Sequence, residues 1–592
     1  MILQPRVLSQ TTMIQVTTMR SHKRMLFRRI AGIILLILFL SIGAVAQEKQ
    51  KPAHTTSQAP GNRFSRVFYG NYTSPAVQSF DLRSEGTLDS MIKGGKIELT
   101  DEDAVRLALE NNVDINVQRY TPYFTLWGVD KGRAVLNPSI QFGTNVNRLV
   151  TPATSVLQGG TTVLNLNTAS DLVIHKPFQQ GLDVDLEFRT IRARSNSTFV
   201  GLNPSLAPTL SLTLTQHFLK DFGSLSRGRL MLIARNNYGM SEQEFVTQVT
   251  AIITNVLNTY WDLVYADEDI KVKESARKLA QMVFEQNQIQ AQVGTMAPLD
   301  VVQAEAEVAS RNQQLVVSRY NRRITEEQLK RLISSRTDPG LIPATIVPLS
   351  RPEAPKPPAS DVAQAIQRAL EIRPEVRRQQ LDQENKKIQV DYTKNQLRPT
   401  LDLQASYSQN GLGGNTILRD YSKGIFNAPI IGLLPGGFGD SLDSLFSRQY
   451  LGYIVGFNLR IPIGNDDARA NNAQAQIDYR QGEDRIRSQK QQIAIQVRQA
   501  YERLEMGRAS VDAAMVTVRY QEQRLQGEQD KYSLGATTTR SIIEAQRDLE
   551  TAQSTLLQAK IDLLKSRIAL DQAVGDTFAA HNIELQDTLR GK

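Results

Sequence analysis

The side chains best suited to metal binding or proton transfer at neutral pH are five histidines: His22, His54, His175, His217 and His581. None is spaced as H-x-x-x-H or H-x-x-E-H, so no zinc pair is expected. There is no G-x-x-x-x-G-K-[ST] loop to cradle a phosphate and no G-x-S-x-G nucleophile turn. His217 closes an alternating run, and the plentiful carboxylates fall on polar helical faces, where solvation accounts for them. The expectation is no catalytic residue, no metal, no cofactor and no enzyme. What remains are two glycine-centred steps, Val293-Gly294-Thr295 and Leu534-Gly535-Ala536, 241 residues apart. Glycine supplies the positive φ that a turn between two helices needs.

Long helices must carry those turns. Helical periodicity covers about residues 224–292 and 464–533, each followed by a run half as long, about 298–335 and 537–574. At 1.5 Å per residue the longer pair spans about 100 Å. Half-length helices also precede them, at about 101–134 and 361–396, so two short rods stacked end to end match one long one. Val497, Tyr501, Leu504, Val511, Met515, Val518, Leu525 and Tyr532 recur in three- and four-residue steps. So do Ile542, Ala545, Leu549, Ala552, Leu556, Ala559, Leu563 and Leu570. That is a coiled-coil seam, and the remaining faces are polar enough to be wet.

Between the helices the period switches to two. Leu182, Val184, Leu186 and Phe188 alternate with Asp183, Asp185, Glu187 and Arg189. Leu210, Leu212 and Leu214 alternate with Ser211, Thr213 and Thr215, and Leu451 to Ile461 forms the longest such face. Segments of about ten residues, apolar one way and polar the other, are the signature of transmembrane β-strands. No stretch after residue 46 approaches 18 apolar residues, so any membrane passage must use a closed barrel.

The chain also contains itself twice. LALENNVDINVQ, with Ala108, returns as RALEIRPEVRRQ, with Ala369, 261 residues later. Downstream the offset falls to 241, as from Tyr260 to Tyr501, so the first copy holds 20 extra residues in its β region. The expected division is a signal peptide at 1–46, a flexible lead-in at 47–95 and repeat 1 at 96–336 with strands in 139–217. A Pro-rich connection at 337–358, repeat 2 at 359–576 with strands in 400–462, and a tail at 577–592 complete it. The first 46 residues carry six bases and no acid, then an apolar run and Ala44-Val45-Ala46, the layout of a cleaved secretory signal. Removing those bases takes the net charge from +9 to +9 − 6 = +3, which is no nucleic-acid footprint. The absence of cysteine leaves no disulfide staple and no lipidation thiol.

Over about residues 97–576 the chain resembles the TolC-like outer-membrane efflux proteins. The resemblance rests on IELTDEDAVRLALENN, the two glycine turns, the long helices and the duplication. It implies a mixed α/β homotrimer in the cell outer membrane, each chain giving four strands to a shared barrel that continues as a periplasmic α-helical tunnel. It implies an exit duct for efflux or type I secretion, partnered by a periplasmic adaptor at the tips Val293, Gly294, Thr295, Leu534, Gly535 and Ala536, and by an inner-membrane pump. The alternative is a periplasmic adaptor or scaffold without a barrel. The resemblance further implies a gate. An acid ring lies six and nine positions after the second glycine, here Ser541 and Glu544, and like charges crowded there attract cations. A tie would join Tyr532 to Asp300. The usual basic partner is Thr537 here, with Arg540 nearby. Residues 421–446 are expected as a surface loop, and alternating stretches near 162–175 exceed the family pattern.

Overall fold

The computed structural model describes residues 72–75, 77, 86–155, 158, 160–335, 343–353, 355, 361–424, 428–581 and 583. The expected signal peptide, with Ala44 and Ala46, lies outside them. By its contacts the chain divides into two units, Met1–Ser79 with Pro138–Ile140, and Phe80–Asn137 with Gln141–Lys592. The second unit holds the long helices and almost all of both sheets.

In chain order α1 (Gly86–Met91) and β1 (Ile92–Lys93) precede the first repeat, which opens with β2 (Lys96–Leu99), α2 (Asp101–Asn111) and α3 (Val113–Arg133). Strands β3 (Ser139–Pro152), β4 (Thr162–Pro177), β5 (Leu182–Ser195) and β6 (Leu202–His217) lead into α4 (Ser224–Gln292) and α5 (Pro298–Ile333). Strand β7 (Thr345–Pro348) joins the copies. The second repeat holds α6 (Val362–Ile372), α7 (Pro374–Gln396), β8 (Thr400–Asn410), β9 (Gly413–Arg419), β10 (Ile430–Leu434), α8 (Phe438–Phe446) and β11 (Leu451–Arg460). It ends with α9 (Asp466–Ser533), α10 (Thr539–Val574) and the short α11 (Thr577–Ala580).

Each expected leading helix is two helices. Asn112 has ψ of 123° and its Oδ1 accepts from Ile115 N–H at 3.1 Å, closing α2 and capping α3. Arg373, 261 residues on, has ψ of 128° and precedes Pro374. A residue before proline is disfavoured in the α region, which breaks the second rod at the equivalent point. The Thr100 capping box is present, with Asp103 N–H donating to Thr100 Oγ1 at 3.1 Å. The seam is buried as expected save at Met515, which is 46% exposed, and Leu556, which is half-buried; Ala514 and Leu557 take the inward positions.

The lead-in is not structureless up to residue 95. Residues 86–95 form α1, β1 and the turn into β2, and β2 pairs in parallel with β7, so the Pro-rich connection is also tied into a three-stranded sheet. Ile97, Leu99 and Ile346 are fully buried there against Tyr260 and Leu263 of α4. The Tyr260 hydroxyl donates to Leu99 carbonyl at 3.0 Å and accepts from Ser350 N–H at 3.1 Å. Burial, foremost, pushes that phenol upward in pKa.

Among the described residues the main sheet has eight strands, not the four implied by the resemblance. Six stand side by side in the order β3-β4-β5-β6-β8-β11. Strands β9 and β10 extend it beside the first residues of β6. The alternating stretch near 162–175 belongs to β4 of the hairpin β4–β5, and residues 421–446 hold β10 and α8 rather than an irregular loop.

Candidate functional site

Both hairpin tips end in the same device. Gly294 has φ of 80° and Gly535 φ of 70°. Thr295 N–H donates to Gln290 carbonyl at 2.9 Å, and Gly294 N–H to Ala291 carbonyl at 3.1 Å. Ala536 N–H donates to Lys531 carbonyl at 2.9 Å, and Gly535 N–H to Tyr532 carbonyl at 3.1 Å. Each pair is a Schellman motif, which satisfies the last helical carbonyls and needs a left-handed residue at its centre. Pro298 then starts α5 and Thr538 caps α10 through Ser541 N–H. The tips are apolar and open: Val293 is 73% and Leu534 82% exposed.

Just inside the tips the two hairpins are tied, but not by the expected pair. Tyr532 donates its hydroxyl hydrogen to Asn287 Oδ1 on α4. Asn287 Nδ2 donates to Thr539 Oγ1 at 3.2 Å and to the Asp300 carbonyl at 3.4 Å. Asp300 therefore enters through its main chain, as the third residue of α5, and its carboxylate is not Tyr532's partner. Asn287, fully buried, is the residue that sequence reasoning missed. Its signal was a polar residue at a seam step after Ala280 and Val283, a position that sets register.

Arg540 does not reach across the tip. Its Nε lies 3.1 Å from Glu544 Oε1, one turn along α10. Thr537 donates to Glu528 Oε2 at 3.0 Å, and Lys531 followed by Thr537 holds that carboxyl below its ordinary pKa. Ser541 Oγ lies 3.1 Å from Thr538 Oγ1, within the cap.

Two turns deeper, α4, α5 and α10 share a buried ion network. Arg311 Nε donates to Glu307 Oε1 at 2.7 Å and pairs with Glu550, which also takes Lys273 Nζ at 2.5 Å. Arg547 forks onto Glu307. Burial, the largest influence on Glu307, raises its pKa; the Arg547 hydrogen bond and the two guanidinium charges outweigh it and hold the carboxyl low. Higher still, Lys565 Nζ meets Asp262 Oδ1 at 2.5 Å, so bonds between α10 and α4 recur from the tip upward.

In the sheet, His217 Nδ1 is 2.6 Å from Asp402 Oδ1 and His175 Nδ1 is 2.6 Å from Asp185 Oδ1. Among the described residues no group of three or more metal-ligating side chains converges, and no helix is long and apolar enough to cross a membrane.

The described residues form long helical hairpins in tandem, with a sheet between their roots. A family model described as "Outer membrane efflux protein" matches residues 104–335 and 365–576. The chain belongs to that family. It is 22% identical to the outer membrane protein TolC of Escherichia coli over 398 residues, 67% of this chain and 74% of that one. It is 24% identical to the nodulation protein T of Rhizobium leguminosarum over 368 residues, 62% of this chain and 71% of that one. Its fold matches the Campylobacter jejuni CmeC outer membrane channel with a TM-score of 0.55 at 15% identity, covering 91% of this chain and 98% of the other. As a member of that family it is an efflux protein of the outer membrane, and not an enzyme.

Proposed function

We propose that three copies of this chain close into the exit duct of a tripartite efflux or type I secretion system. The duct conducts passively what an inner-membrane pump and a periplasmic adaptor deliver to it. The observation that carries this reading is a sheet apolar on one face and polar on the other, continued by short connections into two hairpins of equal reach. Helices α4 and α9 hold 69 and 68 residues, and α5 and α10 hold 36 each. The apolar face suits lipid and the polar face suits a water-filled lumen. The chain has no nucleotide-binding loop, so its work comes from the pump.

The exposed Val293, Leu299 and Leu534 at the tips suit an apolar grip by adaptor hairpins. Glu544 faces a threefold axis in this reading, and its pairing with Arg540 leaves a ring of weaker charge than bare carboxylates would give. The bonds of Tyr532 and Thr539 to Asn287 hold the second hairpin against the first, and opening must break them. The test is single-channel recording of purified protein in a planar bilayer, with Glu544→Ala beside it. Discrete cation-selective channels, less selective in the variant, are expected. A protein that needs no detergent and forms no channels overturns the duct and favours a periplasmic scaffold.

A further inference from the structure

The hairpin β4–β5 is not an appendage. It stands inside the sheet, between β3 and β6, the strands that leave α3 and enter α4. The same residue rows run through it. Tyr453, Tyr407, Leu212, Leu186 and Ile174 are consecutive cross-strand partners from β11 to β4, and Leu451, Gln409, Leu210, Phe188 and Leu172 form the next row on that face. The opposite face carries Ser406, Thr213, Asp185 and His175 in register, then Ser408, Ser211, Glu187 and Val173. A slip of one residue in either added strand would turn its apolar set inward, so the matching register marks one continuous outer face.

Strand β3 joins on the same terms. Thr144 Oγ1 lies 3.0 Å from Ser170 Oγ. A Cβ on Gly143 would sit 2.9 Å from Asp171 Oδ2, so that glycine leaves room for a polar-face carboxylate. These two facing pairs make β3 antiparallel to β4. All neighbours among the six strands are then antiparallel, and the two open edges, β3 and β11, run in opposite directions. Both edges expose large apolar residues, Phe142 and Val146 on β3 and Tyr453, Val455 and Phe457 on β11.

We infer that each subunit contributes six membrane-spanning strands, and that β11 of one copy pairs with β3 of the next to close an 18-stranded barrel. This rests on the trimeric duct proposed above. Barrel diameter grows roughly linearly with strand number, so the outer mouth is about 1.5 times as wide as a four-strand-per-chain trimer would make it. An interposed hairpin adds strands in pairs, which preserves the alternation that closure requires. The narrowest point stays at the helical tips, so the added width serves the exit of bulky cargo rather than selection of it.

Conductance reports the narrowest point, so strand placement is the quantity to measure. The chain has no cysteine, which makes single-cysteine labelling clean. The full chain, in outer-membrane vesicles, would carry cysteine at Leu186, Glu187, Leu172 or Val173, with Leu212→Cys and Thr213→Cys on β6 as reference. A thiol facing lipid forms little thiolate, so a water-soluble maleimide should label 187 and 173 about tenfold faster than 186 and 172. Equal labelling at those four, beside alternation at 212 and 213, places the hairpin outside the barrel and overturns the inference while the duct stands. No alternation at 212 and 213 overturns both. As a second readout, Thr144→Cys with Ser170→Cys should form a disulfide within one subunit. Its failure in a folded trimer would show that β3 does not lie beside β4.

Discussion

Tyr532 on α9 and Asn287 on α4 are joined by a buried hydrogen bond that ties the second hairpin of the chain to the first. They are 245 residues apart in sequence. Thr539, across the tip turn, takes the other end of the Asn287 amide, so one side chain holds the helices on both sides of the second tip. The tie lies just inside the exposed glycine turns.

Removing the tyrosine hydroxyl leaves Asn287 Oδ1 buried without that donor, which should cost about 1–3 kcal/mol. Tyr532→Phe and Asn287→Ala should each raise single-channel conductance, and combining them should add less than their sum, with a coupling near 1 kcal/mol in denaturant melts. Asp300→Ala keeps the carbonyl that Asn287 uses and should leave conductance near wild type. A larger increase from Asp300→Ala than from Tyr532→Phe would return the latch to the carboxylate.

The buried network predicts an acid-sensitive grip. Glu307 has a folded pKa below its unfolded one, so its contribution is fully present above the ordinary glutamate value of about 4.3 and is lost as pH falls through the lower folded value. Thermal melts should be flat in this contribution from neutral pH to about 5 and fall below about 4. Glu307→Gln should lower stability by about 1.5–3 kcal/mol at neutral pH and flatten that acid limb. An unchanged pH profile in Glu307→Gln would assign the acid limb to other carboxylates.

Arg540 and Glu544 form an exposed pair along α10, so their mutual bond should contribute under about 1 kcal/mol to stability. Their charges should still matter at the aperture. Arg540→Ala should raise cation selectivity and Glu544→Ala should lower it, as reversal potentials in a salt gradient, with melting temperatures little changed. Selectivity that ignores both substitutions would put the ring elsewhere.

The tip glycines should resist substitution. A side chain in the left-handed region costs about 1–2 kcal/mol, so Gly294→Ala and Gly535→Ala should each weaken the tips by that amount, and asparagine should be tolerated better. Capture of the adaptor proposed above should fall with alanine at either tip while the sheet and the upper helices keep their melting behaviour. Full adaptor capture by Gly535→Ala would limit that glycine to turn geometry.

Much of the architecture was written in local pattern. Gly294 and Gly535 marked the tips because a left-handed residue is a single-residue requirement. The seam from Val497 to Tyr532 followed from helical period, and Leu182 to Arg189 read as a strand because its period is two. The breaks at Asn112 and Arg373 are equally local but went unread, and Pro374 was the visible sign of the second. The alternating stretch at 162–175 was visible too, but not which strands it would lie between.

Pairing belonged to the tertiary structure. Strand order depends on which edges meet after collapse, and β4–β5 has the same alternation whether it stands between β3 and β6 or folds away. The partner of Tyr532 depends on how α4 and α9 are rotated against one another, which is set by packing along their whole length. Several polar groups near a tip could accept the same hydroxyl; burial leaves it Asn287. Sequence by itself determined the elements, the duplication and the two turns, because backbone preferences act within a few residues. The fold alone decided the latch, the ion network and the six-strand order, because those bonds join residues far apart in the chain.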